Sequence, residues 1–322
     1  MVQVVRVEAP GGVEVMKFVD VALPAPGAGQ VTVEHRAIGV NFIDVYFRSG
    51  LYPQPLPGGL GKEGAGVVTA VGEGVTEFKV GDRVAYCDGP PGAYAQARNI
   101  AAAVLVKLPD AIDFETAAAM MLKGLTVQYL FRSTYRLQAG QTILFHAAAG
   151  GVGLIAMQWA KALGVTVIGT AGSPEKAALA RAHGCDHVIL YREEDVPARV
   201  REITGGEMVP VVYDSVGKDT FQMSIDSLQP FGMMVSFGNA SGPVPPVPLT
   251  ALKGSLYITR PSLMPHIAKR ERLVAMANEL FDMVGSGKVK IEIAQRFPLS
   301  QVAQAHLDLE SRRTTGSTVL LP

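Results

Sequence analysis

The chain has 322 residues, 48% of them hydrophobic and 18% charged, with 29 basic residues balanced by 29 acidic ones and only two cysteines. The length is about twice that of a typical domain and the charged fraction is low, which excludes a disordered chain and predicts two domains with a core each. A net charge of zero leaves no broad positive field for a phosphate backbone and argues against nucleic acid as the main partner.

In chain order, residues 1–7 alternate apolar and polar up to Arg6 and read as a strand, whereas a signal peptide would need a basic start and an apolar core. Val31–Val40 and Ala65–Val75 are longer β-branched runs. Gly81–Val84 and Ala93–Ile100 are shorter strand candidates set off by Gly, Pro and Asp turns. A β-rich, mostly antiparallel first part over residues 1–123 is expected. Asp113–Leu122 and Gly124–Thr134 have helical composition. From Thr142 onward, short apolar runs alternate with amphipathic stretches, the signature of βαβ units. The strand candidates are Thr142–His146, Val165–Gly169, His187–Tyr191, Val209–Asp214, Met233–Gly238 and Ser255–Arg260, with helical segments between the first five. Two of those segments, Leu154–Leu163 and Pro174–His183, stop at Gly164 and Gly184. The fold expected is α/β, with a doubly wound six-stranded parallel sheet over residues 124–264. The Pro-rich loop Gly242–Pro248 replaces the last crossover, and helix Ile267–Val284 and strand Thr318–Leu321 return the chain, over 265–322, to the first domain. The longest apolar segment, Ala147–Met157, falls short of the roughly 18 residues a bilayer span requires, so a soluble, cytoplasmic protein is expected. Cys87 and Cys185 lie far apart with no CxxC and read as two lone buried thiols.

The most informative segment runs from Thr142 through His146 into Ala147-Ala148-Ala149-Gly150-Gly151-Val152-Gly153. A buried strand that empties into small residues opening a helix lets the backbone approach a pyrophosphate, and the helix N-terminus favours its charge. An NAD site would place an acid about 20 residues later, at the end of the second strand. Here that place reads Thr170-Ala171-Gly172-Ser173-Pro174, with Lys176 one turn on and Tyr191-Arg192 ending the third strand. A hydroxyl and a cation in place of an acid favour NADPH over NADH, the alternative being that Lys176 is a solvated helix charge. His146, ending the first of these strands, reads as a packed core histidine.

The spacing Gly140-Gln141, Leu144, Ala148 to Gly151, Gly153, Gln158 and Lys161 resembles the signature of the quinone oxidoreductase or zeta-crystallin branch of medium-chain dehydrogenases/reductases. The similarity extends through Asn41-Phe42-Ile43-Asp44-Val45-Tyr46, Arg48 to Pro53, Leu122 to Thr126, Val212 to Gly217 and Ser236 to Asn239. The resemblance implies a GroES-like catalytic domain, a Rossmann domain and an active site in a cleft between them. Zinc-dependent relatives carry a Cys and a Gly-His-Glu element for a catalytic zinc and four Cys for a structural one. In this chain Asn41 stands where the first ligand would be, Lys62 replaces the His of Gly61-Lys62-Glu63, and two Cys cannot form the structural cluster. A zinc-free reductase of conjugated carbonyls is expected rather than an alcohol dehydrogenase.

The resemblance also implies site residues. Asn41 and Tyr46 border the nicotinamide and its ribose, and Tyr52 and Asp44 face the acceptor. Thr126 contacts the cofactor, as do Ala149, Gly150, Gly151 and Val152 at the glycine turn. Gly217, Phe237, Gly238, Asn239 and Ser241 surround the adenosine and nicotinamide halves. Ile258, Thr259 and Arg260 lie near the nicotinamide amide, and Arg313 lies at the cleft rim. Read from the residues alone, Tyr46 and Tyr52 fit simple packing at the Gly50 turn equally well, and Asp44 fits a helix cap. Lys62 either ion-pairs with Glu63 or reaches the acceptor. The acceptor is a quinone or, as an alternative, an enone or alkenal. A third reading is a structural or RNA-binding protein of the zeta-crystallin kind, for which Lys269 to Arg272 and Ser311 to Arg313 are the only short basic clusters, and a solvated face explains them at least as well. An open edge at Ser255–Arg260 points to a homodimer.

Overall fold

Alternating β-branched residues put Val31 and Val33 into the core from strand Gln30–Val40, the longest in the protein. The computed structural model describes residues 1–322. The strand pairs antiparallel with Glu63–Val71 on one side and with Ser317–Leu321 on the other. It is the centre of a seven-stranded sheet ordered Ile293–Pro298, Ser317–Leu321, Gln30–Val40, Glu63–Val71, Arg83–Tyr86 and Val106–Lys107, with Ala97–Ala101 also paired to it. Only Ile293–Pro298 and Ser317–Leu321 run parallel there. A smaller sheet orders Met16–Val21, Val2–Val7 and Gly58–Gly59.

The second sheet is the six-stranded parallel one, ordered His187–Leu190, Thr166–Ala171, Thr142–Phe145, Val209–Asp214, Leu228–Ser236 and Tyr257–Thr259. Its helices start where the sequence supplies caps. Ser173 accepts from the Lys176 N–H ahead of helix Pro174–Ala182, and Asp195 accepts from the Ala198 N–H ahead of Val196–Ile203, each such cap being worth about 1 kcal/mol. The strand ends differ from the expected ones by a few residues; the largest shift is at Leu228–Ser236, which starts five residues before Met233.

The chain divides into two compact units. The first comprises Met1–Leu125, His266–Gly285 and Ile291–Pro322; the second comprises Thr126–Pro265 and Ser286–Lys290. Residue 290 joins the second unit through a doubly bonded amide, Gln158 Nε2 donating to the Lys290 carbonyl and Lys290 N–H donating to Gln158 Oε1, both at 2.9 Å. The two helical stretches expected on either side of Lys123 form one helix, Phe114–Tyr129, followed by a wider π turn over Leu130–Thr134. Gly124 is there for space, because a Cβ on it would lie 2.4 Å from Leu280 Cδ1. The expected helix Ile267–Val284 is instead two, Leu263–Ile267 and Arg270–Gly285. No helix is long and apolar enough to cross a membrane.

The first unit encloses His35, whose Nδ1 donates to the Ala95 carbonyl at 2.6 Å while Nε2 accepts from the Tyr86 hydroxyl at 2.7 Å. Burial, aided by Arg98, pulls its pKa down from 6.5 to about 4. A depressed folded-state pKa means the ring's stabilising contribution is complete above the unfolded value and is lost as pH falls toward the folded one. The stability cost of His35→Gln, measured by urea unfolding, should therefore shrink by about 1.4 kcal/mol per pH unit between about pH 6.5 and 4. An equal cost at pH 7 and pH 5 would show that the ring is not held neutral.

Candidate active site

In the second unit, Thr142–Phe145 delivers the chain to Ala147, which takes a left-handed φ of 56°, and helix Gly151–Ala162 opens behind Gly150 with no side-chain cap. The first N–H groups of that helix are left without intrahelical acceptors, as an anion site needs. Gly153 packs the helix onto the turn, since a Cβ there would lie 2.4 Å from the Ala147 carbonyl oxygen and 2.5 Å from that of Ala148. Ala149 is buried in the turn. A dinucleotide fits this cradle, where side chains are missing at the points of closest backbone approach.

At the end of the second strand, Gly172 faces Tyr191 and Arg192; a Cβ on it would contact the Tyr191 ring at 3.4 Å and the Arg192 guanidinium carbon at 3.7 Å. Arg192 lies over the Tyr191 ring at 5.8 Å. Together with Ser173 and Lys176 at the next helix start, these residues form a cationic, aromatic corner; the Glu175 carboxylate also reaches it, hydrogen-bonded to Ser173.

The turn after Val209–Asp214 is organised by Asp214, which is fully buried. Its carboxylate accepts from the N–H groups of Val216 (2.7 Å) and Gly217 (3.0 Å) and from the hydroxyls of Thr220 (2.7 Å) and Ser224 (2.9 Å). Because Ser224 donates to Asp214, it accepts from His146 Nε2 at 3.0 Å, and His146 Nδ1 accepts from the Thr170 hydroxyl at 3.0 Å. Burial holds that histidine's pKa below its usual value against the opposing Asp214 charge, so it is a neutral core group as expected. Gly217 has a φ of +94° and Gly238 packs on Ser215, where a Cβ would lie 2.5 Å from the carbonyl oxygen. Ser241 closes the same turn, accepting from Asp219 N–H and donating to the Val216 carbonyl. Phe237 packs on Phe145 at 5.9 Å between ring centres. The Asn239 amide, with its oxygen toward Arg260 (3.0 Å) and its nitrogen toward the Gly238 carbonyl, ties Arg260 to this end of the sheet. Ile258 and Thr259 lie on the edge strand, and Thr126 is a buried helix residue.

In the first unit, Asn41 begins helix Phe42–Ser49 and its N–H donates to Asp44 Oδ2 at 2.9 Å. Tyr46 and Tyr52 stand edge to face, ring centres 5.1 Å apart, with Tyr52 N–H donating to the Tyr46 carbonyl. Asn41, Asp44, Tyr46 and Tyr52 are thus one neighbourhood. Two expectations need correcting. Asp44 does not face an acceptor: it is fully buried and also accepts from the Tyr94 hydroxyl at 2.9 Å, whose other neighbour is His306 Nε2 at 2.8 Å. Burial pushes its carboxyl up to about 7, so it is a helix-capping group in the core. Lys62 does not pair with Glu63; its ammonium lies 3.6 Å from Asp88 and donates to the Gly89 carbonyl. Glu63 turns the other way. Its Oε2 accepts from Asn41 Nδ2 at 2.7 Å, its Oε1 accepts from Leu122 N–H at 2.8 Å, and its charge partner is Lys123 at 3.6 Å. Arg313 lies apart from this cluster, exposed in the turn after helix Val302–Glu310, with its Nε donating to the Ser311 hydroxyl.

Sequence reasoning missed Glu63 and Lys123 as members of this neighbourhood. The signal was a single charge, Lys123, inside the otherwise uncharged run Ala117–Val127.

Residues 27–110 match the family described as Alcohol dehydrogenase GroES-like domain, and residues 151–279 that described as Zinc-binding dehydrogenase. The chain is 60% identical to a quinone oxidoreductase of Pseudomonas aeruginosa, over 100% of both chains. It is 45% identical to a 2-haloacrylate reductase of Burkholderia, over 100% of this chain and 99% of the other. Escherichia coli quinone oxidoreductase complexed with NADPH superposes with a TM-score of 0.98 at 53% identity, over 99% of this chain and 100% of that one. The zinc in the second family description does not fit the residues present. The Asn41 amide nitrogen is engaged with Glu63 and Lys62 is a cation, while no three His, Cys, Asp or Glu side chains converge as a metal site would need.

Proposed function

The chain belongs to the quinone oxidoreductase family of medium-chain dehydrogenases/reductases, and from that we propose that it reduces quinones with NADPH. The observation that carries this reading is the uncapped turn at Gly150 to Gly153, joined to the corner at Gly172, where the second strand ends without an acid. NADPH, when bound, supplies a hydride. Ala149 to Val152 take the pyrophosphate, and Gly172, Ser173, Lys176 and Tyr191 take the adenosine ribose and its phosphate. Gly217, Phe237, Gly238, Asn239 and Ser241, with Ile258 to Arg260, Thr126, Asn41 and Tyr46, bound the rest of the cofactor. Tyr52 flanks the acceptor. Catalysis then comes from holding the reactants close and from donors that steady charge on the acceptor oxygen.

The test is a panel of benzoquinone, naphthoquinone and small enones with NADPH oxidation followed optically; no turnover with any quinone would overturn the reading. The similarity to a 2-haloacrylate reductase favours a second acceptor class, activated alkenes, and the enone arm of the same panel ranks it. For the cofactor, kcat/KM should be higher with NADPH than with NADH. Lys176→Ala should lower that preference by about tenfold or more, the worth of one hydrogen bond to a charged group. A wild-type preference for NADH would sink the assignment.

The edge strand Tyr257–Thr259, with Tyr257 56% and Ile258 39% exposed, supports a homodimer formed through that edge. A monomer in sedimentation equilibrium would count against it. Cytoplasmic residence is part of the same proposal, and recovery of the protein in a membrane or extracellular fraction would contradict it.

A further inference from the structure

We propose that Lys123 is the fixed cation that steadies negative charge on the acceptor oxygen, and that Glu63 is the residue that positions it. The inference rests on the quinone-reductase reading and adds a residue to it. Lysine is among the residues least often buried, and desolvating an ammonium costs several kcal/mol unless it is paired. Lys123 is nonetheless only 6% exposed.

The pairing it receives is incomplete. An ammonium has three donors, and good N–H···O contacts span about 2.7–3.2 Å. Lys123 Nζ reaches the Val40 carbonyl at 3.5 Å and Glu63 Oε2 at 3.6 Å, both long. Glu63, by contrast, has each oxygen in a short bond, to Asn41 Nδ2 and to Leu122 N–H. The carboxylate is therefore locked by other donors, and it holds the ammonium nearby by charge without saturating it. Room for this arrangement is built into the backbone: a Cβ on Gly39 would lie 2.3 Å from Glu63 Oε2 and 2.2 Å from the Ala118 carbonyl oxygen. Lys62, which precedes Glu63 in sequence, is directed to Asp88 and Gly89, and the cation that Glu63 holds beside the Asn41 side chain is Lys123.

In the reaction, the quinone takes up one hydride, a proton with two electrons, from the dihydronicotinamide, which leaves oxidised. The quinone then carries one added negative charge on oxygen until a proton from water completes the hydroquinone. The Lys123 ammonium donates a hydrogen bond to that oxygen throughout and loses no proton. A preorganised donor of this kind matters most in a water-poor site.

The test compares wild type, Lys123→Met and the paired variant Glu63→Gln/Lys123→Met, which replaces both charges and so avoids leaving an unpaired buried carboxylate. Saturated with NADPH, the Lys123 variants should lose roughly 100- to 1,000-fold in kcat/KM for quinones, while NADPH affinity measured by fluorescence stays near that of wild type. A second readout is independent of turnover. Titrated into the enzyme with NADP, 4-nitrophenol should bind to wild type with its ionisation shifted toward the coloured phenolate, and the variants should lose that shift. A folded variant that keeps kcat/KM within about threefold, or the phenolate shift, would overturn the proposal. If wild type reduces no quinone but still shifts the phenol, the functional reading fails and the cation remains; if it reduces quinones without Lys123, the reverse holds.

Discussion

Gly153→Val should abolish cofactor binding. Its first side-chain atom would sit 2.4 Å from the Ala147 carbonyl oxygen and 2.7 Å from the Ala148 carbonyl carbon, and both obstacles are backbone with no rotamer to yield. The helix start must then move away from the strand, and the N–H groups that face the pyrophosphate move with it. A displacement worth only about 3 kcal/mol already raises the Kd for NADPH about a hundredfold. Fluorescence titration measures the affinity, and thermal unfolding without cofactor reports the packing damage. The matched control is Gly285→Ala, at the end of helix Arg270–Gly285, where an added Cβ meets nothing within 4 Å. That change should be neutral or slightly stabilising. Near-wild-type NADPH affinity in Gly153→Val would mean that the turn is a structural one only.

Asp214→Ala is the second large effect. The substitution strips the acceptor from two backbone N–H groups, those of Val216 and Gly217, while the buried Thr220 and Ser224 hydroxyls keep the Gly217 and Thr220 carbonyls as acceptors. Unsatisfied buried donors cost about 1–3 kcal/mol each, so a loss of roughly 2 kcal/mol or more is expected. For a unit of this size that corresponds to a fall of roughly 4–8 °C or more in Tm. Asp214→Asn should recover only part of it, because its amide nitrogen would present hydrogens to groups that also donate. A fall of less than about 2 °C in the alanine variant would show that the turn is held by other contacts.

Much of the second unit was legible because its signals are local. The strand, the small residues and the helix start of the dinucleotide turn are consecutive in sequence, and Ser173-Pro174 announces the next helix by a cap and a first-turn proline. The corner at Gly172 was read from the same stretch, and the structure sets Tyr191 and Arg192 against Gly172, while the Glu175 carboxylate, which that reading did not weigh, bonds Ser173. The first unit was harder at one decisive pair. Lys62 and Glu63 are neighbours in sequence, which suggested an ion pair, but successive residues entering a strand point to opposite faces. The charge that meets Glu63 comes from position 123, on a helix that sequence proximity cannot connect to it. Asp44 was ambiguous for the same reason: its spacing of three from Asn41 fits a cap, while the Tyr94 and His306 groups that enclose it come from distant segments.

The seven-stranded sheet has one further consequence, for the order in which the protein can form during synthesis. Ser317–Leu321 is an interior strand, flanked by Ile293–Pro298 and by Gln30–Val40. The early strands of the first unit must wait for it until residues 126–265 have been made, and those residues form an almost uninterrupted second unit that can close sooner. The nascent first unit therefore carries an unpaired Ile38–Val40 stretch, beside the part of the strand that Ala97–Ala101 already covers, while the second unit is made, a period in which a chaperone has a defined surface to cover.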